Sequence, residues 1–156
     1  MSDSRTEPPD LSGAHLWLIF MKSYHVLREV DARSISASGL GLSDFAVLEM
    51  LLHKGPLPVN TIGRKIMLTS GSITTAIDRL EKKRFVRRRA CPDDRRVTFV
   101  QLTPTGRRVI EKVFRVHATH LEKAFQPLSA AERAALGTLL KKIGKHAEIL
   151  LQPEEQ

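Results

Sequence analysis

The sequence predicts a mainly α-helical fold carrying one small β-hairpin, and three observations lead to it. Apolar residues recur at helical spacing along most of the 156 residues. A short alternating run, Val97, Phe99, Gln101 and Leu102, follows a Pro-Asp-Asp turn, as the second strand of a hairpin would. Helix start signals, Ser or Thr ahead of an apolar-periodic segment, stand at Ser43, at Thr69 or Ser70, at Thr103 and at Ser129.

Residues 1–10 are polar and interrupted by Pro8 and Pro9, which predicts a frayed tail. The first helix begins near Leu11. Leu11, His15, Leu18, Ile19, Val26 and Val30 share a side, and Trp17, Phe20, Met21 and Tyr24 broaden it until most of the helix needs cover. After the small-residue stretch from Ser34 to Gly41, Ser43 caps a helix with Asp44 in its first turn and Phe45, Val47, Leu48, Leu51 and Leu52 inside; Gly55 and Pro56 end it. A strand-like lead at Leu57 then enters a brief helix with Val59, Ile62 and Ile66 inward, stopping near Met67. Thr69 or Ser70 caps the next helix, with Ile73, Ala76, Ile77 and Leu80 on one face and Ser72, Thr74, Thr75, Asp78 and Arg79 on the other. That succession is a helix-turn-helix. Phe85, Val86 and three arginines then lead into the hairpin, its turn at Cys91 to Arg95, making the motif a winged one.

Thr103 caps a long helix entered through Pro104, whose missing N–H is unneeded in a first turn. Val109, Ile110, Val113, Phe114, Val116, Leu121 and Phe125 form its core side. Pro127 breaks it, and Ser129 with Glu132 makes a capping box for a last helix bearing Leu136, Leu139, Leu140, Ile143, Ala147 and Leu150. The predicted organisation is a tail at 1–10, a winged helix-turn-helix domain at 42–103, and a helical dimerisation region at 11–34 and 104–151. The outer helices are more apolar than a small winged domain needs for cover, and the surplus points to a dimer interface.

Charge names the partner. From Thr61 to Arg108 stand thirteen Lys and Arg against four Asp and Glu, a local +9 in a chain whose total is +8. Such concentration is the footprint of a polyanion binder, and double-stranded DNA fits the helix-turn-helix. A helix entering the major groove needs short polar side chains near its N-terminus. Ser70, Ser72, Thr74 and Thr75 supply hydroxyls around Gly71, and Arg79 is the candidate guanine or phosphate contact one turn on. Taken singly, each also reads as an ordinary exposed helix residue. Lys83 and Arg84 follow at the helix end. On the hairpin, alternation puts Arg87 and Arg89 on one side and Arg88 on the other, one face toward DNA and one in solvent. Arg95 and Arg96 stand at the tip, where a wing enters the minor groove, and Asp94 can brace an arginine there.

The order of elements and the string DRLEKKRFVRRRACPDDRRVTFVQLTPTGRRV resemble the MarR family of bacterial winged helix-turn-helix transcription regulators. The likeness spans about Leu11 to Leu150 in architecture and is specific between Leu57 and Gly106. It rests on Asp78 to Glu81, on Asp94 to Arg96 and on Leu102, Thr103 and Gly106. It implies a homodimer on a pseudo-palindromic operator, recognition helices in successive major grooves and wings in minor grooves. By position, Arg96 is the arginine of the wing's Asp-x-Arg motif and Asp94 its partner. Two positions depart from the family pattern. Arg84 stands where glycine is common and must be left-handed or alter the helix end. Cys91 stands where an acid is frequent and offers a thiol with several arginines near it in sequence, although no second cysteine exists to resolve an oxidised thiol.

The resemblance also implies a small aromatic or lipophilic effector that relieves repression from a crevice between the dimer helices and the DNA-binding lobe. Trp17, Phe20, Tyr24, His25, Arg28 and Phe45 are the candidate lining, suited to a carboxylated or phenolic aromatic; the same aromatics also read as core and dimer contacts. His117 and His120 have a spacing that can bring two imidazoles to one metal, but two ligands do not make a site, and neither metal nor cofactor is expected.

The expected function is a dimeric, sequence-specific repressor released by a ligand. A DNA-binding activator or architectural protein without a ligand is the rival reading. A small basic enzyme is the weakest, since no nucleophile–base arrangement, phosphate loop or HExxH occurs. No apolar stretch of membrane-spanning length and no secretory signal is found, so a cytoplasmic protein is expected.

Overall fold

Local signals place the elements of the structure, a computed structural model that describes residues 11–66, 69–91 and 97–152. In chain order they are α1 (Gly13–Ser36), α2 (Leu42–Lys54), β1 (Leu57–Pro58), α3 (Val59–Lys65), α4 (Ser70–Lys82), β2 (Val86–Ala90), β3 (Thr98–Leu102), α5 (Pro104–Phe125) and α6 (Ala130–Leu150). The fold is mainly α with a small antiparallel sheet, as expected. The strand-like lead joins the hairpin as a third strand in the order β1-β3-β2, pairing Leu57 with Val100.

The chain divides into two units, one reaching His120 and one beginning at Leu121. In the first, Val47, Leu48 and Leu51 of α2, Ile62 of α3, Ile77 and Leu80 of α4, Val86, Val100 and Ile110 are sealed from solvent. Burying each such side chain contributes about 1.5–3 kcal/mol before entropy is counted. On β3 the buried residue is Val100.

Several expected boundaries shift for identifiable reasons. Ser12 caps α1 by accepting the His15 N–H at 3.2 Å, so the helix starts after Leu11. At its other end the small residues stay helical to Ser36, because Ser34 is buried, donates to the Asp31 carbonyl at 2.8 Å and meets His117 Nδ1 at 2.6 Å. Gly41, not Ser43, is the residue ahead of α2, and Ser43 lies within the helix. On α5 the inward residues are Gly106, Ile110 and His117, whereas Val116, expected inside, is 52% exposed.

The join between α4, β2 and α5 is tightly specified. The Thr103 hydroxyl donates to the Arg84 carbonyl at 2.7 Å and accepts the Gly106 N–H at 3.0 Å, while the Thr103 N–H donates to the Phe85 carbonyl at 3.0 Å. A Cβ at Gly106 would stand 1.8 Å from the Phe85 carbonyl oxygen, so only glycine fits.

In the second unit the Ser129 and Glu132 capping box forms as expected. Hydrogen bonds from the Ser129 hydroxyl and backbone hold the Glu132 carboxyl below its usual range. Arg133 donates to the Phe125 carbonyl at 2.9 Å and the Leu128 carbonyl at 3.1 Å and pairs with Glu122, fixing the turn between α5 and α6. No residue of α6 is buried.

Candidate nucleic-acid interface

Helix α4 carries the contrast on which the site depends. Thr69 caps it, accepting the Ser72 N–H at 3.3 Å and donating to the Ser72 hydroxyl at 2.9 Å. Ile73, Ala76, Ile77 and Leu80 are buried, and Gly71, Ser72, Thr74 and Thr75 are exposed. The Thr75 hydroxyl donates to the Gly71 carbonyl at 2.9 Å, which leaves its lone pairs outward. The helix stands as a ridge between two open hollows. One, of about 510 Å³, is lined by Asn60, Arg64, Thr74, Arg88 and Thr98 among others; the other, of about 480 Å³, by Ser43, Thr69, Gly71, Ser72, Thr75 and Arg79. Ser70, expected to contact DNA, is the first residue of the helix.

Beyond this row Arg79, Lys83 and Arg88 are engaged within the protein. Arg79, expected to contact a guanine or phosphate, donates to Asp44 Oδ1 through Nη2 at 2.6 Å and Nε at 3.2 Å, and to the Ser43 hydroxyl at 3.1 Å. Hydrogen bonding to Asp44, and its charge, push the Arg79 pKa further up. Lys83 Nζ reaches Asp44 Oδ2 at 3.4 Å. Asp44 was legible as a first-turn acid but not as the partner of two cations on another helix. A buried carboxylate is its own signal once the structure is known, for it persists only when paired.

On the hairpin, β2 pairs with β3 with Arg88 opposite Val100 and Arg89 opposite Phe99. Arg87 and Arg89 are exposed on one side, as alternation predicts. The other side faces α4 rather than solvent: the Arg88 guanidinium pairs with Asp78 at 2.5 Å and with Glu81, and its N–H donates to Glu81 Oε1 at 3.0 Å. Partial burial disfavours the Arg88 charge, but the bonds to Asp78 and Glu81 outweigh it and raise the pKa. Arg88 therefore fastens the wing strand to the recognition helix. Arg84 takes the left-handed conformation, φ 58°, one of the two alternatives its position allowed. Its N–H donates to the Glu81 carbonyl at 2.8 Å and that of Phe85 to the Leu80 carbonyl at 2.9 Å, a Schellman ending. The Cys91 N–H donates to the Val97 carbonyl at 2.9 Å and closes the ladder. Asp94, Arg95 and Arg96 lie outside the described residues.

The six expected effector residues are not brought together. Trp17, Phe20 and Tyr24 form an exposed ladder along α1, ring centroids 6.0 and 6.4 Å apart, and His25 faces Glu29 at 3.5 Å. Arg28 and Phe45 line one hollow, of about 250 Å³, together with Asp31, Ile35, Glu49 and Ile66. Burial raises the Glu49 pKa against the opposing pull of His117 and His53. His117 is buried against Phe45, ring centroids 4.8 Å apart, with Asp31 3.4 Å from its Nε2. His120 is exposed, its Nδ1 2.9 Å from the Val116 carbonyl oxygen, so the two histidines do not converge. Among the described residues no group of three or more His, Cys, Asp and Glu is placed to hold a metal.

The chain is similar in sequence and fold to known proteins. The MarR family model matches residues 40–98, the segment holding α2, the helix-turn-helix and the hairpin. Over 133 residues, 85% of this chain and 92% of the relative, the sequence is 38% identical to the HTH-type transcriptional regulator MhqR of Bacillus subtilis (strain 168). The chain belongs to the MarR family. Its fold matches that of BpsR from Bordetella bronchiseptica, whose DNA binding is regulated by 6-hydroxynicotinic acid, with TM-score 0.72 and 25% identity over 83% of this chain and 98% of that one. The MarR protein of E. coli, solved with operator DNA, matches with TM-score 0.72 and 24% identity, covering 86% of this chain and 99% of that one.

The chain is thus a DNA-binding transcriptional regulator and not an enzyme, which closes the weakest of the expected readings. No helix among the described residues is long and apolar enough to cross a membrane.

Proposed function

We propose that the chain acts as a homodimeric repressor on a pseudo-palindromic operator, released by a small aromatic or lipophilic ligand. Base reading falls to the N-terminal half of α4, through Ser70, Ser72, Thr74 and Thr75; phosphate grip falls to Arg84, Arg87 and Arg89; and Arg95 and Arg96, braced by Asp94, enter the minor groove. The observation that carries this is the outer face of α4, a neutral hydroxyl-bearing ridge directly beside the most basic segment of the chain. Two-fold association is supported by the apolar residues of α1 and α6 that stay exposed in the single chain, Trp17 at 59% and Ile143 at 65% among them. The ligand is supported by the hollow at Arg28 and Phe45 and by the behaviour of BpsR. Asp31 and Glu49 beside Arg28 favour a phenolic donor over a carboxylate there.

Selection from a random duplex pool tests the reading. The expected product is an inverted repeat with half-sites about 10 base pairs apart centre to centre. Arg96→Ala should weaken its binding by about 1–3 kcal/mol with a shallower salt slope. A pool without a repeat favours the architectural reading, in which affinity depends on salt and hardly on sequence.

A further inference from the structure

We propose that Asp44 is a specificity-determining positioning residue, which withholds Arg79 and Lys83 from the DNA backbone and so keeps α4 a reader of bases rather than a general anchor. The inference rests on the DNA-reading role of α4 and goes beyond it by assigning a function to an acid on another helix.

Ser72, Thr75 and Arg79 succeed one another at helical spacing on one side of α4, and Lys83, its C-cap, follows four residues on. The first three line the same open hollow, with Ser43 of α2 completing it. The two cations thus continue the row that faces DNA. Left to themselves, two long basic side chains there reach phosphates of any sequence, and each phosphate gripped adds about 0.9 to the salt slope without information about bases.

The Asp44 side chain is 3% exposed and uses both oxygens, Oδ1 for Arg79 at 2.6 Å and Oδ2 for Lys83 at 3.4 Å. Ser43 takes a further Arg79 N–H at 3.1 Å, so the guanidinium is drawn toward the first turn of α2 by two neighbouring residues. With the carboxylate buried and the two cations about half exposed, such an ion pair contributes little net stability, while it does fix geometry. What it fixes here is where the cations of the recognition face point. A bystander acid, once neutralised, would strengthen binding to every duplex alike, whereas a withholding acid, once neutralised, strengthens binding chiefly to duplexes of no particular sequence.

The test uses the whole chain and two labelled duplexes, one of random sequence and one selected by the wild type, with binding followed by fluorescence anisotropy across salt concentrations. Asp44→Asn should bind the random duplex about tenfold tighter at low salt, with a slope steeper by one to two per recognition helix, and the selected-to-random ratio should fall about fivefold. Adding Arg79→Gln and Lys83→Gln should return the random-duplex slope to that of the wild type. An unchanged ratio in Asp44→Asn overturns the inference. Should Asp44→Asn not fold, Arg79→Gln with Lys83→Gln in the wild-type background decides: an unchanged random-duplex slope supports withholding, and a slope shallower by about two shows that the cations already grip phosphate. A wild type that does not distinguish the two duplexes defeats the DNA-reading role of α4, and the inference with it.

Discussion

Two regions of this chain carry comparable apolar patterns and use them differently. From α2 through the start of α5, Leu48, Ile77, Leu80 and Ile110 are closed off entirely, and among the described residues no buried side-chain polar atom lacks a hydrogen-bond partner. Along α1 and α6, Trp17, Phe20, Leu139 and Ile143 stay exposed at the same helical spacing. Apolar periodicity therefore identifies a face to be covered without saying what covers it. The first region is finished within one chain, whereas α1 and α6 each leave apolar residues uncovered there.

Single substitutions separate the two. Leu48→Ala should lower the unfolding free energy by about 2–5 kcal/mol in a denaturant titration. Ile143→Ala should change it by less than about 0.5 kcal/mol where the chain is monomeric, yet shift the association equilibrium measured by sedimentation. Equal effects of the two on monomer stability would erase the distinction. Within the packed region the sign reverses at one point. Arg84 holds a left-handed conformation that suits glycine, and Arg84→Gly should stabilise by about 0.5–1 kcal/mol by thermal melting, since the relief exceeds the added freedom of the unfolded chain. A smaller effect concerns Glu49, whose pKa is raised by burial. The folded chain then binds this proton more tightly than the unfolded one, so the group's contribution falls as pH rises from its ordinary value through the raised one. Glu49→Gln should melt slightly higher than wild type at neutral pH, with the difference vanishing in acid.

What the sequence made legible was local. The caps at Thr69 and Ser129, the turn at Gly55, the two faces of α4 and the sides taken by Arg87, Arg88 and Arg89 follow from spacing within a few residues. What it concealed was pairing at a distance. Asp44 reads as an acid that favours a helix start, and nothing near it announces Arg79. Likewise Val116 and His117 are adjacent, and helical periodicity alone cannot choose between them; Ser34 and Phe45, far away in the chain, make the inward residue His117. Arg28 and Phe45, seventeen residues apart, line one hollow, while Trp17, Phe20 and Tyr24 lie exposed along α1, a division that residue type alone does not announce.

The central claim is that reading and grip reside in different residues, and salt-dependent binding of Thr74→Ala and Arg89→Ala to selected and random duplexes tests it most directly. Thr74→Ala should lower the selected-to-random ratio and leave the salt slope alone; Arg89→Ala should make the slope shallower by about one per recognition unit and leave the ratio near that of the wild type. If both substitutions change ratio and slope together, the two tasks are not divided between helix and hairpin, and the account fails.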